Sequence, residues 1–217
     1  MTKTKICGIT NTKDALLAAK LGAWAVGFIF YKKSPRSIGG FKAQKIVKQL
    51  PPFVTPVGVF VNQKEGAVKD ILDFCGITTA QFHGDESASY CKRFGKKYKV
   101  IKALRVSEKF DPKSVKDFPA AAFLLDTLSD EGYGGTGKTF DWQAAKAVKN
   151  FGKPVILSGG LNPENVLWRW RMSGLTRSMS PRVWKKRRGS RIPTSSSNSW
   201  KRPGFKTCRT AGGAETF

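Results

Sequence analysis

The chain is short of the features that mark several common classes of protein. Its four cysteines, Cys7, Cys75, Cys91 and Cys208, include no CxxC pair. Neither a zinc site nor a disulfide framework is therefore indicated, and a reducing, cytoplasmic setting is expected. The longest apolar run, residues 23–31, is too short to span a bilayer, and residues 1–7 carry no apolar leader. No GxGxxG follows the first strand candidate, which counts against a dinucleotide site there. No metal and no cofactor is expected. Acids are also few, with 15 Asp+Glu against 39 Lys+Arg and a formal net charge of +24. A balance so basic suggests nucleic acid at first sight. Its distribution says otherwise: residues 1–166 hold 26 basic against 14 acidic residues, and residues 167–217 hold 13 against 1. Half of the excess sits in the last quarter of the chain.

What is present is enough to fold. Hydrophobic residues make up 40% and charged residues 25% of 217 residues, which suits one domain or two small ones with a sizeable core. The pattern is organised around residues 120–127, Ala-Ala-Ala-Phe-Leu-Leu-Asp-Thr. An apolar run without alternation reads as a strand buried on both faces, the habit of parallel sheets. Asp126 closes it, at the end where α/β proteins place their chemistry. Then come four glycines between Gly132 and Gly137, a loop able to close over a ligand, and Asp141 as cap of a helix to about Lys149.

Six other strand candidates surround this one, at residues 3–9, 23–30, 54–61, 78–83, 98–105 and 153–157. Helical stretches separate them, near residues 13–21, 42–50, 64–74 and 88–94, with a weak one at 112–118. Thr10-Asn11-Thr12, Asn62 and the Gly84–Ser87 turn read as starts of helices, and Gly22 and Pro51-Pro52 as stops. A further helix starts at Pro163. Strands and helices in alternation predict a parallel α/β sheet, either doubly wound or a (β/α)₈ barrel. Cys7, Arg36, His83, Asp126 and Gly159-Gly160 fall at the C-terminal ends of different strands, which favours the barrel.

The eighth βα unit is missing or replaced. Residues 167–217 hold four of the six tryptophans and eight serines, with only Leu167, Leu175, Val183 and Ile192 as Leu/Ile/Val residues. Residues 1–166 thus read as a seven-stranded core, and 167–217 as a disordered or frame-shifted tail. The rival reading makes the chain a basic α/β protein that grips nucleic acid through residues 182–209, with Trp to stack bases.

The ordered pieces Lys5-Ile-Cys-Gly-Ile-Thr10, Gly27-Phe-Ile-Phe30, Ser34-Pro-Arg-Ser-Ile38, Val57–Asn62, Gln81–Glu86, Leu125-Asp-Thr127, Gly134–Gly137, Phe140–Trp142 and Ser158–Val166 resemble the phosphoribosylanthranilate isomerases. The resemblance covers about residues 3–166. Trp24 stands where that family usually has an acid. The resemblance implies a TIM barrel and an aldose–ketose isomerase of tryptophan biosynthesis. Its reaction is an Amadori rearrangement of N-(5-phosphoribosyl)anthranilate that needs only an acid and a base. It implies Asp126 as general acid and Cys7 as general base. Arg36, a guanidinium suited to a bidentate carboxylate, is the candidate holder of the anthranilate. Gly159 and Gly160 before a helix are candidates for the phosphate. His83 is assigned only to lining the site. Another phosphosugar-handling barrel is the rival enzyme. The expected partner is a small phosphosugar, on a monomer or homodimer, without a membrane.

Overall fold

The computed structural model describes residues 3–107, 110–127 and 147–159, all within one compact unit, residues 1–184. The glycine loop at 132–137, the helix start at Asp141, Gly160, the helix at Pro163 and the tail with its basic stretch 182–209 lie outside the described residues. Among the described residues seven strands occur, the first four each followed by a helix: β1 (Lys5–Cys7), α1 (Thr12–Lys20), β2 (Ala25–Ile29), α2 (Gly40–Val47), β3 (Thr55–Phe60), α3 (Glu65–Cys75), β4 (Thr79–Phe82), α4 (Ala88–Phe94), β5 (Lys99–Val106), β6 (Ala122–Thr127) and β7 (Val155–Leu157). The weak helix is a single 3₁₀ turn, Pro112–Val115, between β5 and β6.

Every neighbouring pair is parallel, and the order in the sheet is the order in the chain. A doubly wound sheet would reverse that order partway. Uninterrupted succession is the (β/α)₈ type, and it carries all the C-terminal strand ends to one end of the sheet. The register then sorts the side chains. Cys7 lies opposite Gly27, Gly27 opposite Val57 and Val57 opposite Thr79. Directly paired residues share a face, and so do residues two apart in a strand. Val57 packs with Ile101, Ala103, Leu124 and Ile156 in a small cluster. Lys5, Cys7, Gly27, Gln81, His83, Arg105 and Asp126 therefore belong to that same inner face.

The opposite face carries the larger core against the helices. Phe28, Phe60, Phe82, Phe94 and Phe123 are fully buried there. In α1 it is Ala15 and Ala18 that face this core, while Leu16 is exposed. Asn11 caps α1 by accepting from Asp14 N at 2.8 Å, and Ser87 caps α4 by accepting from Tyr90 N at 3.2 Å. Asn62 does not cap α3, whose first turn is preceded by Lys64 without a side-chain cap. It sits at φ 50 and turns across to the β4–α4 loop: Asp85 N donates to its Oδ1 at 2.7 Å, and its own N donates to Glu86 Oε1 at 2.8 Å. A tertiary acceptor outcompetes the local cap.

Candidate active site

Strand β1 ends on Cys7, and Gly8 turns the chain away at φ +87, a conformation that favours glycine. The N–H groups of Gly8 and Ile9 both donate to Gly27 O, at 2.9 and 3.0 Å. Arg36 crosses directly over the turn. A Cβ at Gly8 would stand 2.7 Å from Arg36 Cδ, so the glycine supplies both the backbone angle and the clearance. The Arg36 guanidinium donates through Nη1 to Cys7 O at 3.1 Å. Its loop is itself folded, with Ser34 N donating to Tyr31 O and Ser37 N to Ser34 O, each at 3.0 Å, and Ile38 N to Ile29 O at 2.9 Å. Lys32 and Lys33 in the same loop point to solvent.

On the other side of the inner face, His83 follows β4 and meets Asp126 near the end of β6. Its Nε2 lies 3.2 Å from Asp126 Oδ2, and the Asp126 side chain is 7% exposed. Gln81, 1% exposed, places Nε2 2.8 Å from His83 Nδ1. With the amide nitrogen toward the ring, Nδ1 accepts and Nε2–H donates to an ionised Asp126. Turning the amide over reverses the row: a protonated Asp126 donates to Nε2, and Nδ1–H donates to the Gln81 carbonyl. That carbonyl has no hydrogen-bond partner in the arrangement observed. The row Gln81–His83–Asp126 thus ties the carboxyl to the ring and the ring to the amide on one inner face.

A second polar cluster braces this wall from the outer face. Glu86 accepts from Gly84 N at 3.0 Å and from Lys102 Nζ at 2.8 Å, besides Asn62 N, and Lys102 Nζ also donates to Gly84 O at 2.7 Å. The ends of β3, β4 and β5 are fixed together by one buried ion pair, immediately beside His83. Gly159 follows β7 at φ +81, at the same end of the sheet as Cys7 and Asp126. An open hollow of about 500 Å³, lined in part by Phe30, Lys32, Ile38, Gln63 and Lys64, includes none of the candidate residues.

The sequence-predicted residues Cys7, Arg36, His83, Asp126 and Gly159 therefore come to one end, with Arg36 on Cys7 and His83 on Asp126 in direct contact. Gln81 and Lys5 were missed: in sequence each is an ordinary polar residue of a strand, and only the register turns it inward. Among the described residues no group of three or more His, Cys, Asp or Glu could hold a metal ion, and no helix is long and apolar enough to cross a membrane. Trp24 lies away from this end, at the start of β2, half exposed under Lys3 Nζ at 3.9 Å from its ring.

The family profile of N-(5'phosphoribosyl)anthranilate (PRA) isomerase matches residues 4–175. Among curated proteins, N-(5'-phosphoribosyl)anthranilate isomerase of Citrifermentans bemidjiense is 46% identical over 166 residues, 76% of this chain and 79% of that protein. That of Thermotoga neapolitana is 47% identical, covering 76% and 80%. Among solved structures, phosphoribosyl anthranilate isomerase from Thermotoga maritima superposes with a TM-score of 0.77 at 40% identity, covering 83% of this chain and 87% of that one. A complex of the isomerase with reduced 1-(O-carboxyphenylamino)-1-deoxyribulose 5-phosphate gives 0.73 at 37%, covering 82% and 86%. Monomers generated from the dimeric Thermotoga maritima enzyme give 0.72 at 36%, again covering 82% and 86%. A thiol, an acid and an arginine at one end of a parallel sheet whose strands follow in chain order, together with a match over most of its length, make this chain a member of the N-(5'-phosphoribosyl)anthranilate isomerase family.

Proposed function

We propose that the chain converts N-(5'-phosphoribosyl)anthranilate to 1-(2-carboxyphenylamino)-1-deoxyribulose 5-phosphate. The observation that carries this is the placement of Cys7 and Asp126 on one inward face, at the end of the sheet where Arg36 crosses. Asp126 is the general acid. Its buried carboxyl protonates the ring oxygen of the sugar, which opens the furanose and leaves an iminium ion at C1. His83 keeps that carboxyl aimed, and Gln81 follows its protonation state. Cys7 is the general base that removes the proton from C2 and so gives the enol that becomes the ketose. Arg36 pairs with the anthranilate carboxylate through whatever donors its bond to Cys7 O leaves open. Backbone N–H groups at Gly159 and Gly160 hold the phosphate.

The partner of the reaction is the phosphosugar, and a second copy of the chain is the natural macromolecular one. The dimeric state of the Thermotoga maritima enzyme supports it, as do Phe41 on α2 and Phe53 just ahead of β3, 83% and 91% exposed. Turnover tests the chemistry: Cys7→Ala and Asp126→Asn are each expected to lower kcat roughly 10²–10⁴-fold, the usual share of a general acid or base. Near-normal rates in either variant would overturn these roles. Growth rescue of a tryptophan auxotroph that lacks this step tests the reaction itself.

A further inference from the structure

Lys5 is 4% exposed, and its Nζ has no hydrogen-bond partner. It lies two residues before Cys7 on β1, so both side chains point to the inner face. They also reach the same spot. A Cβ at Gly27 would stand 2.8 Å from Cys7 Sγ and 3.1 Å from Lys5 Nζ. The bare backbone of Gly27 is thus what lets sulfur and ammonium converge, within about 6 Å of each other, the reach of a direct charge effect. A desolvated ammonium without a partner is costly, so the chain gains from it only if an anion comes to that spot. Arg36, the other cation beside Cys7, is already engaged by the Cys7 carbonyl.

Building on the isomerase reading, we propose that Lys5 is the counter-ion of Cys7, a positioning residue that holds the sulfur as thiolate in the resting protein. In the step at C2, the C2–H bond breaks and an S–H bond forms. The released electron pair becomes the C1=C2 double bond and neutralises the iminium nitrogen. Lys5 keeps its own proton throughout and loses its anion when the thiol forms.

The test reads Cys7 directly, without turnover. The full-length protein is treated with iodoacetamide at neutral pH and carbamidomethylation of the Cys7 peptide is followed by mass spectrometry. Peptide resolution separates it from Cys75 and Cys91, both buried with thiols pushed up by that burial, Cys91 to about 11, and from Cys208. Lys5→Met is expected to slow the reaction of Cys7 about tenfold or more, and Lys5→Arg to restore most of the rate, as thiolate supply governs alkylation. Lys5→Gln serves in place of Lys5→Met if that variant fails to fold. Equal Cys7 rates in the wild type and the charge-free variant overturn the proposal. So does a variant that alkylates normally but needs more substrate to reach half-maximal rate, since Lys5 then meets the substrate instead. An inactive wild type or an active Cys7→Ala bears on the isomerase reading alone.

Discussion

Two lysines of the one sheet are buried to nearly the same depth, Lys5 at 4% and Lys102 at 5% exposure, and they differ in everything else. Lys102 faces the helices. It holds Glu86 at 2.8 Å and Gly84 O at 2.7 Å, and Glu86 in turn collects two backbone N–H groups. Lys5 faces the inner wall and holds nothing. One buried charge is satisfied and fixes the scaffold beside His83. The other makes no hydrogen bond and stands beside Cys7. The two walls thus differ: the one behind Asp126 is braced by a satisfied ion pair, and the one at Cys7 carries a buried cation that only a nearby anion can satisfy.

The comparison is broken most severely by Lys102→Met. Removing one partner of a buried pair strands the other, so a loss of about 3–5 kcal/mol in urea-unfolding free energy is expected. Lys5→Met is expected to shift the same measurement by less than about 1 kcal/mol, since it deletes a desolvated charge and no hydrogen bond. Equal losses in the two variants would mean that Lys5, too, is structural.

Gly8→Ala strikes the wall around Cys7. The left-handed angle costs roughly 1–2 kcal/mol with a Cβ, and the new methyl would stand 2.7 Å from Arg36 Cδ. Arg36 must move, so KM is expected to rise more than kcat falls. Gln81→Leu strikes the opposite wall more gently. It removes one partner from His83, worth about 0.5–1.5 kcal/mol, and is expected to lower kcat by up to about tenfold with KM little changed. Gln81→Glu loses the donor to His83 Nδ1 and offers only an acceptor, which suits the turned-over row alone, and is expected to recover part of the rate.

Much of this was legible in the sequence because it is written locally. Apolar runs gave the strands, Gly22 and the prolines the breaks, and Thr10-Asn11-Thr12 and the Gly84–Ser87 turn the starts of α1 and α4. That Cys7, Arg36, His83 and Asp126 lie toward one end of the sheet could be read because each ends a strand or follows one. What stayed hidden depends on contacts distant in sequence. Asn62 looks like the cap of the next helix, yet its acceptor serves Asp85 from the neighbouring loop. Glu86 looks like a solvated turn acid, yet it is 8% exposed because Lys102 reaches it from β5. Lys5 reads as one more basic residue of a basic chain. Only the Cys7–Gly27 register shows that it is enclosed.

A third lysine gives the mildest test of the contrast. Lys97 is largely exposed and meets the Asp73 carboxylate at 2.8 Å, which also accepts from Tyr98 Oη at 2.7 Å. The Lys97 hydrogen bond, then the Tyr98 one, holds Asp73 below its ordinary value of 3.8. A depressed carboxyl stabilises the fold above its ordinary value, and that stability is lost as pH falls through the lowered one. Burial first, and then Asp73, pushes Tyr98 above 10.0, while Asp73 raises Lys97 above 10.5. Burial also pushes Tyr90 up to about 12. These groups stabilise fully below their ordinary values, and the stability is lost as pH rises through the raised ones. Thermal unfolding followed from pH 2 to 12 should therefore decline on both limbs. Asp73→Asn should soften the acid decline only slightly, because solvent screens an exposed pair. It should also lower the pH of the alkaline decline, because Tyr98 and Lys97 lose the anion that helps keep their protons. A large loss at neutral pH in Asp73→Asn would show that an exposed pair between α3 and the turn before β5 can matter as much as the buried one at Lys102.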